Sequence, residues 1–143
     1  MWAFEHSVTT DAKPEQIWAV WMDSENWPLW DEEVEWVRRD GAFQVGTTYK
    51  LKPKGGPVAT AVIERCEPLQ GFDDVTALPL ATLRFKHRMH SLSDGQTHIT
   101  HRVEISGLLT FVFKRVIGAK TAQTLPQAMQ KLVERARALS LTV

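Results

Sequence analysis

The sequence predicts an α+β fold in which a curved antiparallel sheet of about six or seven strands, with two short helices after the first strand, wraps one long C-terminal helix. Three observations carry this. Strand-like alternation recurs from residue 33 to residue 106, turn residues interrupt it at short intervals, and beyond Gly107 the apolar residues recur at spacings of three and four. With 143 residues and 43% of them hydrophobic, the chain 1–143 reads as a single domain. A chain of that size buries roughly 70% of the surface its unfolded form exposes, so a core forms without disulfides or structural metal.

Residues 2–9 alternate as a first strand. Thr10-Asp11-Ala12-Lys13-Pro14 then turns into a short helix with Pro14 at its first position, where a missing N–H costs nothing. Ile17, Trp18 and Trp21 fit one face of that helix. A second helical turn or loop spans 24–31, where Asp23-Ser24-Glu25-Asn26 offers caps and Pro28 discourages a long helix. Strands are expected at 34–37, 48–51, 58–66, 72–78, 83–91 and 96–106. The breaks between them carry Asp40-Gly41, Gly46, Pro53-Lys54-Gly55-Gly56-Pro57, Pro68-Leu69-Gln70-Gly71, Pro79 and Ser93-Asp94-Gly95, which implies an antiparallel meander. Ala122, Leu125, Met129, Leu132, Ala136 and Leu139 then mark the long amphipathic helix. A separate turn is expected before Gly118, and Pro126 should kink the helix or mark its start.

The last hairpin has a definite register. Leu83, Phe85, His87 and Met89 share one face of its first strand, and Ile99, His101, Val103 and Ile105 share one face of its second. A slip of one residue would turn every side chain over. A three-residue loop Ser93-Asp94-Gly95, with Gly95 in the left-handed conformation, sets Leu92 opposite Gln96 and brings both apolar faces to the same side. Leu83 then meets Ile105, Phe85 meets Val103, Met89 meets Ile99, and on the outer face Arg84 meets Glu104. His87 falls opposite His101 on the inner face and His90 opposite His98 on the outer, with β-carbons about 5 Å apart. His6 has no partner visible along the chain.

Charge and cysteine content exclude several functions. Seventeen Lys and Arg balance 17 Asp and Glu, which argues against a nucleic-acid backbone or an anionic membrane as the main partner. The densest basic run, 84–88, alternates like a half-exposed strand. Cys66 is the only cysteine, so no intrachain disulfide or cysteine-based zinc cluster forms. The N-terminus lacks a secretory pattern and no apolar run reaches spanning length, so a cytoplasmic protein without integral membrane association is expected. Gly55-Gly56 lacks the spacing of a phosphate-binding loop, and no Gly-x-Ser-x-Gly elbow is present. No cofactor is expected.

The order of elements, with Ala12-Lys13-Pro14-Glu15-Gln16-Ile17-Trp18 followed by Asp23, Trp27 and Trp30, then Val45-Gly46-Thr47, Glu67-Pro68 and Leu125-Pro126, resembles the helix-grip, START-like superfamily often called SRPBCC. The branch it resembles is the polyketide cyclase/dehydratase-like bacterial one. The resemblance covers essentially the whole chain. It implies a helix-grip fold with a cavity between sheet and helix. Similar members include pollen-allergen-like carriers, lipid-transfer domains, quinone-binding proteins, chaperone ATPase activators and aromatic polyketide cyclases, and so wide a reuse does not give the activity.

Within that fold the expected partner is a small hydrophobic ligand, lipid-, aromatic- or polyketide-like. Trp30, Trp36, Tyr49, Asp74 and Phe85 are expected to line its site, together with Met89, Val103, Leu125 and Met129. The alternation of residues 72–78 leaves either Asp73 or Asp74 inward, and an inward Asp74 would orient a histidine or bind a ligand hydroxyl. His87 and His101 are the candidate catalytic pair, because two desolvated imidazoles stay neutral and offer a donor and an acceptor to a polarised carbonyl or hydroxyl. Two histidines fall short of the three protein ligands of catalytic zinc, so no metal is expected there. The run Asp31-Glu32-Glu33-Glu35 reads as solvated loop charge. The function classes are thus a ligand-binding protein, a cyclase or dehydratase using the inward histidines, and an interaction module of the chaperone-activator type with exposed tryptophans between 27 and 36.

Overall fold

The computed structural model describes residues 1–139. In chain order the elements are β1 (Trp2–Thr10), α1 (Pro14–Met22), a 3-10 turn (Ser24–Leu29), β2 (Val34–Arg39), β3 (Thr48–Pro53), β4 (Ala59–Glu67), β5 (Gly71–Leu78), β6 (Ala81–Ser91) and β7 (Thr97–Ser106). A helical run follows: α2 (Thr110–Phe113), a π-helical turn (Lys114–Gly118) and α3 (Ala119–Ala138). The strands form one seven-stranded sheet in the order β1-β7-β6-β5-β4-β3-β2, with antiparallel pairing throughout. Five connections carry the meander from β2 to β7. The seventh element, β1, crosses back to pair with β7.

The β6–β7 register agrees with the hairpin argument: Leu83 pairs Ile105, His87 pairs His101 and His90 pairs His98. Gly95 takes φ of 85° and Leu92 N–H donates to Gln96 O at 2.7 Å, which closes the three-residue loop. Other boundaries move. Pro126 lies inside α3 and does not start it, and the turn expected before Gly118 is a π-helical one. Gly118 has a packing reason, since a β-carbon there would stand 2.8 Å from the Trp2 ring.

Two apolar clusters fill the inner side. The larger joins Ile17, Trp18 and Trp21 of α1, Trp27 and Trp30 of the 3-10 turn, Phe72, Met89 and Ile99 of the sheet, and Leu125, Met129 and Leu132 of α3. The smaller joins Leu83, Val103 and Ile105 with Trp2, Phe4, Phe85, Phe113 and Ile117. The start of α1 is held through Gln16: Lys13 N–H donates to Gln16 Oε1 at 2.8 Å, and Gln16 Nε2 donates to Leu139 O at 2.9 Å, tying α1 to the end of the C-terminal helix.

Candidate functional site

The inner face of the sheet carries a row of rings across four strands. His6 pairs His101, His101 pairs His87, and His87 pairs Phe72. Period-two alternation puts all four on the side that α1 covers. The Trp21 Nε1–H donates to His101 Nε2 at 3.2 Å. His87 Nδ1 stands 3.0 Å from the Phe72 carbonyl, which only accepts, so this nitrogen carries the proton. The Phe72 and His87 rings stack at 3.8 Å, and the His87 and His101 rings meet edge to face at 4.6 Å.

These bonds assign the tautomers. A neutral His87 protonated at Nδ1 presents Nε2 as an acceptor, and a neutral His101 that accepts at Nε2 presents Nδ1–H as a donor. Neutrality follows from the surroundings. Burial pushes His87 down to about 4, and burial with the nearby His87 and His6 holds His101 well below the usual imidazole range.

A second polar pair lies beside the first. Asp74, one inner position along β5 from Phe72, accepts a hydrogen bond from the Tyr49 hydroxyl. Burial pushes its carboxyl up to about 7, against the lowering effect of the Tyr49 bond. Burial and the Asp74 charge together raise the Tyr49 phenol well above its ordinary value. The alternation of β5 thus resolves as Asp74 inward. Asp73 takes the other side, bonded by Arg88 Nη2 at 3.0 Å.

The remaining candidates divide. Trp30, Met89, Leu125 and Met129 are buried in the larger cluster with the histidines. Phe85 and Val103 are inward, but they pack in the smaller cluster toward Trp2 and Phe113. Trp36 is a correction: it lies on the outer face, half-buried, with the Arg38 guanidinium 4.6 Å from its ring. The cause is a bulge, since Val34 pairs Pro53 and Trp36 pairs Lys52, leaving an extra residue on β2. Val34 and Val37 therefore point inward together, and the alternation that would have aimed Trp36 inward is reset.

His6 also corrects the sequence reading, because β1 sets it beside His101. Trp21, Trp27 and Phe72 belong to the site as well, and the pattern Phe4, His6, Val8 was the available signal for an inward His6. Trp27 and Trp30 are buried, so they form no exposed aromatic surface. The acidic run is paired and not merely solvated: Glu33 meets Lys120 Nζ at 3.0 Å, Glu32 bonds Lys131, and Glu35 meets Lys52 at 3.0 Å. The first two pin the loop before β2 onto α3. Asp31 in the same run is largely covered, and burial raises its carboxyl above the ordinary value.

Aromatic rings stand in mutual contact between α1, the 3-10 turn and the sheet. Trp21 lies 5.6 Å from Phe72 and 5.8 Å from each histidine, and Trp27 lies 6.0 Å from Phe72. A small cleft of about 20 Å³ opens beside them, lined by Trp30, Asp31, Thr124, Gln127, Ala128 and Lys131. Trp30 separates this cleft from the histidines, with its ring 6.3 Å from His101. Among the described residues, Trp30 Nε1 is the buried side-chain polar atom without a hydrogen-bond partner. Among those residues no group of three or more His, Cys, Asp or Glu is arranged to hold a metal ion.

Comparison with known proteins agrees with the geometry. A family model described as polyketide cyclase/dehydrase and lipid transport matches residues 1–139. No match is found among curated protein sequences. Solved structures with the same fold include the Zhui aromatase/cyclase from a Streptomyces species, with 14% identity and TM-score 0.76 over 95% of this chain and 93% of that one. Norcoclaurine synthase from Thalictrum flavum superposes at 14% identity and TM-score 0.74, covering 97% and 95%. A START superfamily protein from Mycobacterium smegmatis does so at 17% identity and TM-score 0.70, covering 96% and 99%.

The two kinds of buried group respond oppositely to pH. Asp74 titrates near 7 when folded against an ordinary 3.8, so the folded state keeps a proton that the unfolded chain has lost. Its stabilising effect is complete at acid pH and is lost as pH rises through about 7. His87 titrates at about 4 against an ordinary 6.5, so its effect is lost as pH falls from 6.5 toward 4. Asp74→Asn removes the first trend. In urea unfolding, the variant is expected to become more stable relative to wild type by a few kcal/mol between about pH 4 and pH 8, whereas a pH-independent difference contradicts the assignment.

Proposed function

We propose that this chain, which belongs to the polyketide cyclase/dehydrase and lipid transport family, binds a small, mostly apolar, oxygen-bearing ligand between the inner face of the sheet and α3. One observation supports this above the others: Trp30 Nε1–H is buried without a partner, beside two histidines whose bonds to Trp21 and the Phe72 carbonyl leave His101 Nδ1–H and His87 Nε2 uncommitted. Leaving such a group unsatisfied costs about 1–3 kcal/mol, and Leu or Phe would pack the same space without that cost. A ligand carbonyl or hydroxyl offsets it. Its apolar body would lie against Trp27, Phe72 and Met129, reached from the cleft by displacement of Trp30.

The complementary tautomers support a second reading, a dehydration or cyclisation catalyst. His87 Nε2 removes a proton from the carbon next to a ligand carbonyl, while His101 Nδ1–H hydrogen-bonds the enolate oxygen. The His87 imidazolium then returns that proton to a departing β-hydroxyl, water leaves, and both rings are neutral again. Asp74 and Tyr49 orient the ligand's second oxygen.

Binding is tested by titrating the protein with 2-naphthol and following tryptophan fluorescence. Quenching is expected, and Trp30→Phe, which removes one N–H and keeps most of the ring, is expected to weaken binding about fivefold. No fluorescence change with wild type overturns the binding reading. The catalytic reading is tested by water loss from an aromatic β-hydroxy ketone: His87→Gln is expected to lower kcat roughly 100-fold or more with naphthol affinity nearly unchanged. Equal loss of binding and turnover assigns His87 a structural role.

A further inference from the structure

The neutral balance of the whole chain conceals a local asymmetry. From Ser106 to Val133 there is no Asp or Glu, yet Lys114, Arg115, Lys120 and Lys131 all fall in that stretch. Lys120 and Lys131 are taken up by Glu33 and Glu32. Lys114 and Arg115 are exposed and have no ion-pair partner among the described residues.

The same end of the molecule gathers large exposed apolar side chains. Leu108 is 78% exposed, Leu80 66%, Val116 65% and Phe111 61%. They come from two segments that are bonded together, because Leu109 N–H donates to Leu80 O at 3.0 Å. Gly107, at φ of 106°, permits the approach, since a β-carbon there would stand 2.8 Å from Ala81 Cα and Leu80 O. Leu80 itself sits in the left-handed region at φ of 50°, a costly conformation for a side-chain-bearing residue, and its side chain stays in solvent. Behind this patch Phe113 and Ile117 pack with Trp2 and Ile105, and the Trp2 ring rests on Gly118. The helical segment is therefore clamped, with Phe111, Val112 and Val116 left on its outer side.

An apolar cluster this exposed on a clamped segment marks an interaction surface, and its charge selects the partner. A two-fold contact with a second copy would set Lys114 and Arg115 near the same cations of the other chain. A nucleic acid would use the cations and leave the aliphatic side chains in water. An anionic lipid surface satisfies both, with acyl chains for the apolar residues and headgroup phosphates for the cations.

We propose that the end formed by Leu80 and residues 108–116 docks on an anionic lipid surface. Leu108, Phe111 and Val116 enter the headgroup–acyl boundary, and Lys114 and Arg115 lie against phosphates. This is peripheral seating, consistent with the absence, among the described residues, of a helix long and apolar enough to cross a membrane.

Co-sedimentation of the full chain with vesicles of phosphatidylcholine, with and without phosphatidylglycerol, tests the proposal. Binding is expected only with phosphatidylglycerol and is reversed by salt. Lys114→Ala with Arg115→Ala is expected to lower the partition coefficient roughly 30-fold, and Phe111→Ser with Val116→Ser roughly tenfold or more, with circular dichroism unchanged because all four side chains are exposed or partly so. No binding to phosphatidylglycerol vesicles, equal binding to both vesicles, or indifference to both double variants overturns it. So does a concentration-dependent dimer in sedimentation equilibrium that Phe111→Ser with Val116→Ser disperses, which would assign the patch to self-association.

Discussion

The hydrogen bond from Trp21 Nε1 to His101 Nε2 joins the first helix to the middle of the sheet, and the chemistry of the interior depends on it. It covers His101 with an indole and leaves Nδ1–H uncommitted, as the Phe72 carbonyl leaves Nε2 uncommitted on His87. Burial keeps the rings neutral and outweighs the opposing pull of Asp73 on His87. A protein needing only a stable core would gain by replacing these groups with hydrocarbon, whereas a binding or catalytic interior needs polar atoms aimed at a position that a ligand oxygen takes up.

The periphery keeps that interior closed. The loop before β2 is fastened to α3 through Glu32 with Lys131 and Glu33 with Lys120, and Trp30 lies between the loop and His101. Exposed ion pairs are individually weak. A fastening of this kind can be released at modest cost, and Trp30, with its unpartnered N–H, is the residue that a ligand arriving from the cleft meets first. At the other end, the apolar and basic start of the same helical run faces outward.

Much of this was legible in the chain. The order of elements follows from the change in apolar period, and the pairing of His87 with His101 follows from a loop type and an alternation confined to about 25 residues. What escaped was non-local or unsignalled. His6 joins the row because β1 pairs with the last strand, a contact across most of the chain. Trp36 turned outward because a bulge reset β2, and no Gly or Pro marks it. Pro126 was read as a kink in the helix or its start, and the helix begins well before it and continues through it. The contacts among Trp21, Trp27 and Phe72 depend on how helix and sheet meet rather than on either element alone.

The central claim is that His87 and His101 are neutral inside the protein, each with one uncommitted nitrogen. Nitrogen-15 NMR of the imidazole rings across a pH titration tests it most directly. Both rings are expected as the Nδ1–H tautomer at neutral pH, with His87 protonating only near pH 4 and His101 well below the ordinary imidazole range. Ordinary titration of either ring near 6.5, or an Nε2–H tautomer at His101, would contradict it.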